Sequence, residues 1–120
     1  MNVIEKQGNV LVPSTYLNPE DLNRELNIIH GCNAQGIMGA GLALQVRSKS
    51  EEVYQVYKQA CDNLVDDKQS LLGTITFKRL SPEPITIINA IIQLETGIHK
   101  RQVNYEAVAQ VFDRIATTIL

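Results

Sequence analysis

The stretch HGCNAQGIMGAG, residues 30–41, carries Gly31, Gly36, Gly39 and Gly41 between two strongly apolar segments, Leu26–Ile29 and Leu42–Val46. A simple turn from a strand into a helix needs a single glycine. Four of them in so short a loop predict a backbone that comes close to another group, at positions where a side chain would stand in the way.

The segments on either side of the loop set its structural context. Asn27–Cys32, with consecutive isoleucines, suits a strand buried on both faces of a parallel sheet. Residues 40–49 read as a helix. From Glu51 to Leu64 the apolar positions Val53, Val56, Tyr57, Ala60, Cys61 and Leu64 fall at spacings of three and four, which predicts a second helix with one apolar face and Ser50 as its N-cap. Residues 71–79 and 85–92 read as strands, with Pro82 and Pro84 between them. At the amino terminus, residues 2–6 suit a short strand that Gly8 and Asn9 turn into Val10-Leu11-Val12, and Asn18-Pro19 signals a turn followed by a short helix. Residues 93–102 form a polar loop in which His99 is expected to be exposed. Residues 103–119 close the chain as a helix with Val108, Val111, Phe112 and Ile115 facing inward. This order predicts one α/β domain over residues 1–120, with a mainly parallel central sheet and some antiparallel pairing near residues 71–92. Ligands of such sheets bind beyond the carboxyl ends of the strands, where the glycine loop sits.

Composition narrows the function classes. A chain of 120 residues can bury a core without staples, and 44% hydrophobic with 20% charged residues is ordinary for a globular domain. A net charge of −2 argues against an extended nucleic-acid surface. Cys32 and Cys61 match no zinc or CxxC spacing and read as reduced thiols, which points to the cytoplasm. The terminus MNVIEKQGNV shows no basic region followed by an apolar run, and no stretch has the length of a membrane span.

A loop that enters a helix at Gly39-Ala40-Gly41 exposes the first amides of that helix at the positive end of its dipole, where a phosphate fits. The alternative is a flexible connector with no ligand. Two phosphate motifs do not match. The glycines run G-x-x-G-x-G from Gly36, reversed from the dinucleotide fingerprint, and no Lys followed by Ser or Thr completes a P-loop.

The run IIHGCNAQGIMGAGLALQVRSK, preceded by Gly8-Asn9-Val10 and followed by LLGTITF and NYEAV, resembles the macrodomains, the ADP-ribose-binding modules. It is most similar to their ADP-ribose 1''-phosphate phosphatase branch. The resemblance implies a three-layer α/β/α fold with a mixed, mostly parallel sheet. It implies that Asn9 and Val10 hold the adenine end, with the Asn9 carbonyl accepting where many macrodomains use aspartate. Asn33 would hold the distal ribose, or else cap the loop as an amide. Gly36, Ile37, Met38, Gly39, Ala40 and Gly41 would wrap the diphosphate and terminal ribose. His30, with Asn33, would serve catalysis by orienting water or protonating the leaving oxygen, although a histidine on a buried strand can equally be a core residue. No metal and no cofactor is expected.

Two departures from the family pattern matter. Where a related branch removes ADP-ribose with a lysine, this sequence has Gln93, and an amide cannot act as that nucleophile. Macrodomains also continue past the last helix with a further strand, a second glycine-rich loop, a helix and a final strand, whereas this sequence ends at ATTIL. If the chain is complete, the resemblance implies a sheet edge open to a second copy; if it is a fragment, as its shortness relative to the family suggests, the missing portion carries part of the site. The expectation is therefore a phosphatase acting on ADP-ribose 1''-phosphate, with a non-turning-over ADP-ribose reader or an ADP-ribosyl hydrolase as alternatives.

Overall fold

Leu26–Asn33 forms strand β1 in the computed structural model, which describes residues 4–96 and 103–119. The glycine loop leads from it into α1 (Gly41–Lys49), and α2 (Glu51–Asn63) follows. Then come β2 (Ile75–Arg79), β3 (Ile85–Gln93) and α3 (Tyr105–Thr118). The sheet order is β1-β3-β2, with β1 parallel and β2 antiparallel to β3, the mixed arrangement expected from the sequence.

Helices α2 and α3 each have a side-chain cap where they start. Ser50 Oγ accepts from the Val53 amide at 3.3 Å, and Glu51 and Glu52 occupy the first turn of α2, where negative charge complements the dipole. Asn104 caps α3 by accepting from the Ala107 amide at 2.9 Å. The apolar face of α2 covers one side of the sheet, placing Val53 against Ile28 and Ile87, and Tyr57 and Cys61 against Cys32 and Ile91. On the other side, Val111 and Ile115 of α3 pack on Ile88 and Ala90. These layers make a three-layer α/β/α domain. Each fully buried aliphatic of β3 contributes about 1.5–3 kcal/mol to holding them together.

Several expectations need correction. β1 is not buried on both faces. Ile28, His30 and Cys32 point inward while Asn27, Ile29 and Gly31 are exposed, Ile29 by 40%. The reason is position: β1 is an edge strand, and α3 packs over β3 and β2 instead. Phe112 faces outward, 52% exposed, because it stands about 100° round the helix from the inward stripe of Ala107, Val111 and Ile115. The first strand after α2 begins at Ile75, since Lys68–Leu71 forms a 3-10 turn that drops Leu71 into the core. Residues 4–6 are exposed and form no strand, while residues 2 and 3 lie outside the described residues, as does His99. The short helix after Asn18 is a single 3-10 turn, Pro19–Asp21.

Candidate functional site

The site is built where β1 ends. The register of β1 on β3 slips between Cys32 and Asn33, so that Asn33 pairs with Gln93. Such irregularities re-aim side chains at sheet ends. Asn33 and Gln93 then line one cleft of about 200 Å³ together with Ile37, Gly39, Ala40, Ala43 and Thr96.

Asn33 organises the first half of the loop. Its Oδ1 accepts from the Gln35 amide at 2.9 Å and its Nδ2 donates to the Ile37 carbonyl at 2.9 Å. The Tyr57 hydroxyl lies 2.6 Å from the Asn33 carbonyl and 2.7 Å from its Oδ1, donating to this pair. Asn33 is thus a loop-capping amide, and it still has its second Nδ2 hydrogen uncommitted among the described residues. Gly36 needs to be glycine: its φ is +77°, and an added Cβ would meet Cys61 Cβ at 3.4 Å.

The second half of the loop differs in kind. The Met38 side chain is buried in the core cluster with Cys32 and Tyr57, whereas Ile37, Gly39, Ala40 and Gly41 are exposed. Among the described residues, the amides of Met38, Gly39, Ala40 and Gly41 make no hydrogen bond. Ala40 is the N-cap of α1 and offers no side-chain cap, and Gly41 enters the helix with φ +58°. Unpaired amides at a helix start, beside a cleft, are suited to an anionic oxygen.

His30 is placed elsewhere. It lies mid-strand rather than at the strand end, 5% exposed, with Nε2 2.6 Å from Asn89 Oδ1. Asn89 is fully buried and donates to the Val53 carbonyl at 3.1 Å and to Thr76 Oγ1 at 3.0 Å. Because Asn89 Oδ1 can only accept, His30 Nε2 carries the proton. Burial lowers the imidazole pKa, partly opposed by the Asn89 hydrogen bond, so the ring is neutral near pH 7. This is a core histidine, and the geometry does not bring it into the cleft. Cys32 is buried beside it, its thiol pushed up to about 12 by burial, which leaves it inert as a nucleophile.

Asn9 and Val10 lie apart from the loop. Asn9 Oδ1 accepts from the Leu11 amide at 3.0 Å, and the Val10 carbonyl accepts from the Tyr16 hydroxyl at 2.7 Å. Val10 packs on the cluster of Leu11 and Ile85 around the starts of β1 and β3, and neither residue lines the cleft. A separate concavity of about 280 Å³ near that end is lined by Leu17, Leu22, Leu26 and Ile85 together with Ser14, Arg24 and Glu83. Gln93 Nε2 donates to the Glu95 carbonyl at 2.9 Å. Sequence reading assigned Tyr57 only to packing and gave Tyr54 no role, yet the hydroxyls of both bond to the loop. A buried tyrosine where phenylalanine would fill the space is the signal that points to such a partner.

No family model matches the chain. An ADP-ribose 1''-phosphate phosphatase of Candida glabrata is 35% identical over 72 residues, covering 60% of this chain and 34% of the relative. A phosphatase of the same description from Scheffersomyces stipitis is 40% identical over 45 residues, covering 38% of this chain and 26% of the relative. The chain thus spans about a third or less of the length of these curated relatives. Among solved structures, a macrodomain protein from Streptomyces coelicolor superposes with a TM-score of 0.69 at 24% identity, over 92% of this chain and 69% of that one. Thermosipho africanus DarTG, solved in complex with ADP-ribose, gives a TM-score of 0.61 at 16% identity, over 80% of this chain and 26% of that one. The mixed sheet, the layers on both its faces and these likenesses together make the chain a macrodomain by fold.

Proposed function

We propose that the chain binds ADP-ribose, with the diphosphate seated on the exposed amides of Gly39 to Gly41 and the distal ribose against Asn33. The observation that carries this reading is the run of exposed amides from Gly39 to Gly41, without acceptors among the described residues, of which Gly39 and Ala40 line the cleft with Asn33 and Gln93. Charge on the ligand favours the positive end of α1, and glycine at 39 and 41 lets the phosphate oxygens approach the main chain. The uncommitted Nδ2 hydrogen of Asn33 can donate to a ribose hydroxyl. Asn9 and Val10, which the resemblance gives to the adenine end, lie away from this cleft and carry no part of this reading.

A second reading, hydrolysis of the terminal phosphate of ADP-ribose 1''-phosphate, is favoured by the description of the two curated relatives. In that reaction water attacks phosphorus and the P–O bond to the sugar breaks, giving ADP-ribose and inorganic phosphate. Loop amides would stabilise charge on the phosphoryl oxygens. His30 would not take part directly, given its burial.

Titration calorimetry with ADP-ribose tests the first reading. Saturable heat is expected, and its absence at millimolar ligand refutes binding. Phosphate release from ADP-ribose 1''-phosphate tests the second, and tight binding without release above the blank leaves a pure binder.

A further inference from the structure

The loop is held from beneath by two tyrosines that the ligand reading does not use. Tyr54 and Tyr57 stand three residues apart on α2, on neighbouring positions of one face, with ring centroids 6.3 Å apart. Tyr57 is fully buried, yet its hydroxyl is shared among the Asn33 carbonyl, Asn33 Oδ1 and, as acceptor at 3.2 Å, the Ile37 amide. Tyr54 donates to the Gly36 carbonyl at 3.1 Å, and the Arg47 guanidinium of α1 stacks on its ring at 3.8 Å. Phenylalanine would fill the same volume at either position, so what tyrosine adds is the bond to the loop.

These bonds fix both ends of the 33–37 turn. They settle the Asn33 carboxamide with its oxygen committed inward, and they engage the Ile37 amide and the Gly36 carbonyl in the protein. Of the amides that follow, those of Gly39, Ala40 and Gly41 are exposed and make no hydrogen bond among the described residues.

We propose that Tyr57, assisted by Tyr54, is a positioning residue for ADP-ribose, acting through Asn33 and the glycine loop by holding them in binding geometry before the ligand arrives. This rests on the ADP-ribose reading of the site. A loop ordered in advance loses little freedom on binding, and one released from its brace must be ordered by the ligand. The effect is confined to the part of the ligand that lies on the loop.

Calorimetry on wild type, Tyr57→Phe, Asn33→Ala and the double variant, each with ADP-ribose and with AMP, tests this. AMP lacks the second phosphate and the distal ribose. Tyr57→Phe is expected to weaken ADP-ribose about tenfold, the scale of one lost hydrogen bond, and to leave AMP unchanged. The double variant should bind no more weakly than Asn33→Ala alone. In the free protein, exchange of the Ile37 amide should accelerate at least about tenfold while amides of α3 keep their rates. Unchanged ADP-ribose affinity, equal weakening of both nucleotides, or unchanged Ile37 exchange would overturn the proposal. Should Tyr57→Phe fail to fold, Tyr54→Phe replaces it: a selective loss for ADP-ribose supports the brace, and an unchanged affinity overturns it. A wild type that binds neither nucleotide refutes the ligand reading itself, an outcome distinct from the failure of the brace alone.

Discussion

Asn33 and Asn89 sit on paired parallel strands, and their side chains end in the same carboxamide. Asn89 is completely enclosed, and every polar hydrogen it has is spent within the protein: it receives His30 and gives to Thr76 and Val53. Asn33, at the strand end, has its oxygen engaged by Tyr57 and Gln35 but, among the described residues, keeps one N–H in reserve, near the exposed amides of Gly39, Ala40 and Gly41 in the same condition. The difference separates a polar group that joins the layers from one that can recognise something. Residue type does not separate them, and neither does the element. Leftover hydrogen-bond capacity at an accessible place does.

The contrast breaks first at Asn89. Asn89→Ala would leave the buried His30 Nε2–H without its acceptor and the half-buried Thr76 Oγ1 without its donor, and is expected to cost about 2–4 kcal/mol in urea unfolding. A loss under about 1 kcal/mol would mean that water or a shift of the ring satisfies the imidazole, and the closed network would lose its structural role.

The open centre should respond in affinity and hardly in stability. A Cβ at Gly39 would touch only Ile37 Cγ2, at 3.6 Å, so the fold tolerates one. Gly39→Val is expected to reduce ADP-ribose affinity about tenfold to a hundredfold by holding phosphate off the amides. Its melting temperature should stay within a few degrees of wild type. Wild-type affinity in this variant would detach the ligand from the loop.

Thr76→Val removes one acceptor from Asn89 at nearly constant volume and should cost about 1 kcal/mol, with binding untouched. The gentlest probe is pH. The folded-state pKa of His30 lies below the ordinary 6.5, so its contribution to stability is complete above that value. It declines as pH falls toward the folded pKa, because the unfolded chain takes up the proton first. Urea midpoints should therefore drop between pH 7 and pH 5, and less steeply in His30→Gln. Identical slopes would place the acid sensitivity in other groups.

Much of this arrangement was legible beforehand. The isoleucine runs marked β1 and β3, the three-and-four spacing marked α2, and Ser50 announced its cap, since each signal is local. The exposed face of β1 was not legible, because a run such as Asn27–Cys32 reads the same at an edge as in the middle of a sheet. Phe112 misled because it neighbours the inward stripe. For the site, the glycines located the loop, while the direction of His30 followed from an alternation shared with Ile28 and Cys32. The bond from Tyr57 to Asn33 spans 24 residues and depends on tertiary packing that no window of sequence contains.

Cys32 and Cys61 lie in one cluster with Tyr57 and Met38, directly beneath the loop, and both thiols are raised in pKa chiefly by burial. A thiol reagent can reach them only when that cluster parts, so the pace of alkylation becomes a clock for breathing of the floor under the loop. If the proposed ADP-ribose site is real, ADP-ribose should slow the clock, and an unchanged alkylation rate at saturating nucleotide would count against it.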